Sequence, residues 1–528
     1  MLYFIPSWYN DSYFREKEQY WFIRRLETEF DDSVKQIQLF NRNKISDFKI
    51  LLLSYVPNFR HFLHRQSVFH APYWSCFDAI QEVERQHVSV LSFHDLLWPE
   101  HVEFIDSPFC IIAMVNQKKY AEIQFAEDGN MIEVDLFEGT TICRKNIYDD
   151  RGFLSSTIIY EQGKPFYEQY LNPSGTWKCT YFFDDHHIEV NPKSSYYLIS
   201  NHKESFQKLS YISMDELIQE VFQTFVKENI QSQDIFCLAM HPLHNALLEN
   251  TLKQYKKICS FYQKRCNLSN DAASCSLLNE SNYIVVDSQK KISHIKNFLS
   301  NSIPIIDITP FDTRIDFGIS QQLTVQNILV PVDYLTKEMF EALILQFLSY
   351  LEKNDNARIH FFTRKANWNI EDCLLEEIQT ILKRHEVNPN FARKKETNYA
   401  ENDLDEEKAV PILFYIDQCV DELAISKTIR KQRILLDFSD HPDLYLLISC
   451  ISAGIPMILK KETQYMEDHK NGLLISSVDE IPSSLSFYLD NLNEWNKALI
   501  ASYEIGKKYN TKQLILKWKE VMNAVGKN

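Results

Sequence analysis

The chain has 528 residues, 45% of them hydrophobic, and a formal net charge of −16. That length exceeds one hydrophobic core and calls for two or three domains. The acidic balance excludes nonspecific nucleic-acid binding through a broadly basic surface. No run approaches the ~20 apolar residues of a membrane span, and the opening MLYFIPSWYND lacks the basic region of a secretory signal. Eleven cysteines without a C-x-x-C point to reduced thiols in a cytosol rather than to zinc or a disulfide framework. Glycine is scarce, with 10 in the whole chain and no G-x-G-x-x-G or Walker loop. Backbone phosphate cradles need glycines, so an ATPase or a dinucleotide enzyme is disfavoured.

Residues 1–100 alternate strand and helix signals. Leu2 to Pro6, Lys49 to Val56 and Val88 to Phe93 have strand character, and Cys76 to Glu84 reads as helical. Such alternation predicts a parallel α/β sheet. Residues 101–192 differ. Runs such as Phe109 to Val115, Tyr120 to Phe125 and Met131 to Phe137 are separated by Asp128-Gly129-Asn130, Glu138-Gly139, Asp149-Asp150-Arg151-Gly152 and similar turns. These predict an antiparallel meander inserted in the first α/β domain. Residues 193–320 return to α/β patterning, with a helix over Met214 to Lys227 and strands at Ile235 to Met240 and Tyr283 to Val286. A second α/β domain over 321–528 has strands at Ile328 to Val332, Arg358 to Phe362, Ile412 to Tyr415, Ile434 to Phe438, Met457 to Leu459 and Leu473 to Ile475. Glu396 to Glu407 is acidic and apolar-poor, and is expected to be a solvated loop. Ligands of such sheets bind beyond the carboxyl ends of the strands, and two sheets facing each other would make one cleft.

Between Arg433 and Ile475 an apolar strand runs into Ser439, a helix follows, and Ala453-Gly454-Ile455-Pro456 leads to a second strand. This frame resembles the nucleotide-sugar corner in the C-terminal domain of GT-B glycosyltransferases. The resemblance implies two glutamates with seven residues between them, the second five residues before the glycine. His441 and Ser449 stand there, ahead of Gly454. The family also implies an arginine and a lysine after the first strand of this domain; the chain has Asp333 and Lys337. A charged acceptor takes two strong hydrogen bonds from a sugar diol, which Ser449 and His441 do not offer. Tyr148 to Ser156 and Gly175-Thr176-Trp177 are similar to the extended β-sheet domain of glycosyltransferases that modify serine-rich-repeat adhesins. Together with Ile5 to Tyr9, the chain resembles over nearly its full length the glycosyltransferase-like component of the accessory Sec system. That implies a GT-B fold with two Rossmann-like domains and an antiparallel β insertion, and a final helix crossing back to the first domain. It also implies a cytoplasmic, non-catalytic scaffold without a cofactor. Its partners would be two other accessory secretory proteins, a dedicated Sec ATPase and a glycosylated adhesin, with contact to anionic phospholipid at the membrane's inner face.

Two alternatives remain open on sequence. One is an active glycosyltransferase in which Asp443 or Asp440 replaces the glutamates, although Asp443 also fits a helix cap. The other is a carbohydrate-binding module for the adhesin. His241 and His244 are either a remnant of sugar binding or a polar turn after a strand. Lys253, Lys256, Lys257, Lys264 and Arg265 lie in KQYKKICSFYQKR, which if helical presents one apolar face flanked by cations. That segment is either an anionic-lipid contact or a surface helix packed on the sheet. His61/His64 and His186/His187 lack an obvious third ligand, and no metal is expected.

Overall fold

The computed structural model describes residues 1–9, 14–15, 27–84, 88–365, 367, 369–394 and 411–527. The acidic segment 396–407 lies outside them. The chain divides into two units, one of Met1–Arg24, Asp31–Ile308 and Lys519–Asn528, the other of Arg25–Phe30 and Thr309–Trp518. The final helix Thr511–Lys527 therefore begins in the second unit and ends in the first.

The first unit contains a seven-stranded, wholly parallel sheet. Across it the order is Ile305–Asp307, Tyr283–Val286, Lys256–Phe261, Ile235–Ala239, Leu2–Ile5, Phe48–Leu52 and Tyr73–Ser75. Its central strands are buried on both faces, as Leu2–Ile5 and Ile235–Ala239 show. This is why they read as continuous apolar runs without alternation.

The same logic explains one correction. Lys253 to Arg265 is not a helix. Lys256–Phe261 is an inner strand of this sheet, paired in parallel with Ile235–Ala239 and Tyr283–Val286. A short apolar run buried on both faces has no period that separates strand from helix. Val88 to Phe93 is likewise not a strand. Val90 is almost fully exposed, and Ser92 opens a capping box with Asp95 instead.

The meander is a ten-stranded antiparallel sheet running from Glu103–Asp106 at one edge to Ser210–Tyr211 at the other. It thus reaches past residue 192. Gly152 anchors it to the first unit's α/β part. Its φ is +84°, and a Cβ there would lie 1.8 Å from the Ser89 carbonyl oxygen, so only glycine fits. Beside it Arg151 is fixed by Asp149 and by Asp78 of the helix Cys76–Ile80.

The second unit has its own seven-stranded parallel sheet. Its order is Ala392–Lys394, Phe414–Gln418, Ala357–Thr363, Gln326–Pro331, Gln432–Asp437, Met457–Leu459 and Gly472–Leu474. Ala392–Lys394 is a three-residue edge strand too short and too cationic to announce itself in sequence. Among the described residues no helix is long and apolar enough to cross a membrane.

Candidate functional site

The strand Gln432–Asp437 leads through an exposed loop to the helix Leu444–Ala453. Asp443 is the N-cap, accepting from the Leu446 amide at 3.0 Å. Gly454 ends the helix in the left-handed region with φ 71°. A Cβ on it would stand 2.9 Å from Leu499, so the glycine serves the turn and the packing at once. His441 is exposed in the loop. Asp440 pairs with Lys460 and Lys461 at 3.1 and 3.2 Å, and the two ammonium groups hold its carboxyl below the usual range. Asp437, at the strand's end, is buried and accepts from the Ser439 amide; burial raises its pKa.

Ser449 is one turn from Tyr445 on the same helix. Tyr445 meets the rings of Phe30 at 4.9 Å and Phe311 at 5.1 Å, both edge-on. The guanidinium of Arg364 lies 3.9 Å above the Phe30 ring and donates to Asp443. Phe30 is only 4% exposed. Tyr445, on the helix that carries Ser449, is thus packed by two rings from distant parts of the chain. Phe30 ends the 3-10 turn Glu27–Phe30, far away in sequence from everything it touches here. No motif marks it. Arg364 is likewise absent from the residues expected on sequence; a basic pair directly after a strand, Arg364-Lys365, is the signal that could have marked it.

Asp333 holds no open position. It accepts from the Thr363 hydroxyl at 2.5 Å and from the Arg364 amide at 2.8 Å, and so ties together two strand ends. Lys337 is exposed at the first position of the helix Lys337–Leu351.

In the first unit His241 is the N-cap of the helix Pro242–Thr251, its Nδ1 accepting from the Leu243 amide. His244 is fully buried between Tyr9, whose hydroxyl is 3.0 Å from Nδ1, and the Ala239 carbonyl, 2.7 Å from Nε2. A carbonyl only accepts, so Nε2 carries the proton and Nδ1 receives the Tyr9 hydroxyl. Burial lowers the His244 pKa to about 3 and that of His241 to about 4. Both meet Tyr9 of the Ile5 to Tyr9 opening, His244 through the hydroxyl and His241 through ring contact at 5.2 Å.

The predicted cationic patch also changes character. The Lys257 ammonium is buried and donates to the carbonyls of Leu252, Lys253 and Tyr255 at 2.9, 3.4 and 3.3 Å; burial lowers its pKa. Arg265 bridges Asp31 and Asp32 and donates to the carbonyls of Met240 and Ser260. Lys256 reaches the Gly526 carbonyl. Only Lys253 and Lys264 are exposed. His187 does have neighbours of ligand type in Asp184 and Asp185, all on the surface, and a second such group is His202, Glu204 and Glu228. His61 pairs with Asp128 at 3.2 Å, and His64 lies against Phe69.

Two parallel α/β sheets, a β-meander insertion and a strand–helix–glycine corner define a protein of GT-B glycosyltransferase architecture. Comparison with known proteins narrows this. Residues 1–524 match the family profile of the accessory Sec system protein known as accessory secretory protein 1, and the chain belongs to that family. The accessory Sec system protein of this kind from Streptococcus gordonii is 31% identical over 527 residues, 98% of each chain. The crystal structure of accessory secretory proteins 1, 2 and 3 from Streptococcus pneumoniae contains a chain that is 30% identical with a TM-score of 0.80, each chain covered completely. The pneumococcal O-GlcNAc transferase GtfA, solved with UDP and GlcNAc, has a TM-score of 0.69 at 12% identity, covering 99% of this chain and 98% of its own. That likeness is one of fold.

Proposed function

We propose that this protein is a non-catalytic, glycosyltransferase-like scaffold of the accessory Sec system. It assembles in the cytoplasm with two other accessory secretory proteins and works with a dedicated Sec ATPase to export a glycosylated serine-rich-repeat adhesin. The complex from which its pneumococcal relative is known supports the first two partners. The observation that carries the non-catalytic reading is the corner itself. The two positions to which the glycosyltransferase resemblance assigns glutamates hold His441 and Ser449, and the packing of Phe30 against Tyr445 and Arg364 beside them supports the same reading. Arg364, the cation best placed to meet a diphosphate, is already committed to Asp443. Asp443 and Asp440, the candidate replacements, serve as a cap and a lysine partner. Anionic lipid contact at Lys253 to Arg265 loses its helix and is confined to Lys253 and Lys264.

The test is calorimetric titration of the pure protein with UDP, UDP-glucose and UDP-N-acetylglucosamine, with UDP release followed in the same samples. Neither binding nor release is expected. Micromolar binding with turnover would overturn the proposal and restore the enzyme.

A further inference from the structure

The ten-stranded sheet ends on the strand Glu103–Asp106, which among the described residues pairs only with Ile111–Val115. Among the described residues no other backbone bond lies along its outer side. An open row of amides and carbonyls is a template for another strand, and proteins usually blunt such edges with lysine, proline or a bulge. Here the strand is short and its charged side chains are acidic, with no lysine among them. From 88 to 117 the sequence has no lysine or arginine and four carboxylates, Asp95, Glu100, Glu103 and Asp106, all exposed. Exposed apolar groups accompany them: Leu97 is fully exposed, Ile105 is 49% and Phe109 56% exposed. The nearest lysines, Lys118 and Lys119, begin two strands in, and Lys119 is paired with Glu122.

The charge pattern selects the occupant. A second copy of this chain paired antiparallel about the strand centre would set Glu103 opposite the copy's Asp106. Like charges directly opposite destabilise a strand pair. A cationic strand meets no such penalty, gains charge-assisted contacts, and buries Ile105 and Phe109. We propose that this edge takes an extended, lysine- or arginine-bearing segment of one of the accessory secretory partners as an added strand. The inference rests on the proposed export assembly for the identity of the partner.

The test is hydrogen–deuterium exchange of the chain alone and of its purified assembly with the two accessory secretory partners. Exchange at 103–106 is expected to slow by about tenfold or more in the assembly. The double variant Glu103→Lys, Asp106→Lys should keep the exchange pattern of the rest of the sheet and lower partner affinity by about tenfold or more. An assembly that forms with exchange at 103–106 unchanged overturns this proposal and leaves the export reading standing. A free chain that dimerises through a protected edge overturns it in favour of self-pairing. Failure to form any assembly overturns both.

Discussion

The carboxyl ends of the two parallel sheets are closed by different chemistry. In the first unit the closure is ionic. Arg265 binds Asp31 at 2.9 Å and also Asp32, which in turn accepts from the Ser260 hydroxyl at 2.6 Å. In the second unit it is aromatic, with Phe30 and Phe311 on Tyr445 and the ion pair of Arg364 with Asp443 beside them. Strand ends in such sheets are where ligands bind. In each unit the cation named here, Arg265 or Arg364, is paired with carboxylates of its own unit. A buried ionic closure demands every partner, because one lost partner strands a charge. An aromatic closure tolerates exchange more readily, because its attraction is largely area and shape.

This contrast sets the order of expected effects. Arg265→Met leaves the buried Asp32 and the half-buried Asp31 without their cation and should cost about 3–5 kcal/mol in urea unfolding. A loss below ~1 kcal/mol would mean that the network is not the keystone of its sheet. The neighbouring histidines add a pH signature. His244, with its pKa lowered to about 3 by burial, binds fewer protons folded than unfolded. Its contribution is therefore fully present above its unfolded pKa of about 6.5 and is lost as pH falls, at about 1.4 kcal/mol per unit once well below that value. Subtracting the profile of His244→Gln from that of the native protein should show this slope between pH 6 and 4. Parallel profiles would refute it. The smallest effect belongs to the aromatic closure. Phe30→Leu keeps most of the volume and should cost about 1–2 kcal/mol, with no gain of UDP affinity.

Much of the architecture was legible because it rests on local pattern. The alternation and turns of residues 101–192 encode the meander, and Gly454, preceded by an apolar run and followed by Ile455-Pro456, marks a helix end leading into a strand. The capping role of Asp443 was likewise readable, since a carboxylate at a helix start accepts orphan amides. The strand Lys256–Phe261 was not, because burial on both faces erases its period, and its lysines suggested a surface that Lys257 does not occupy.

By itself, then, the sequence determined the class of fold and the order of its parts, both properties of spacing and residue type. Only the tertiary structure decided what packs around the strand–helix corner. Phe30, Arg364 and Tyr445 come from three separate stretches of chain, and nothing in local propensity encodes which distant side chains will meet there. That choice follows from close packing, which leaves no apolar hollow unfilled when a ring can reach it.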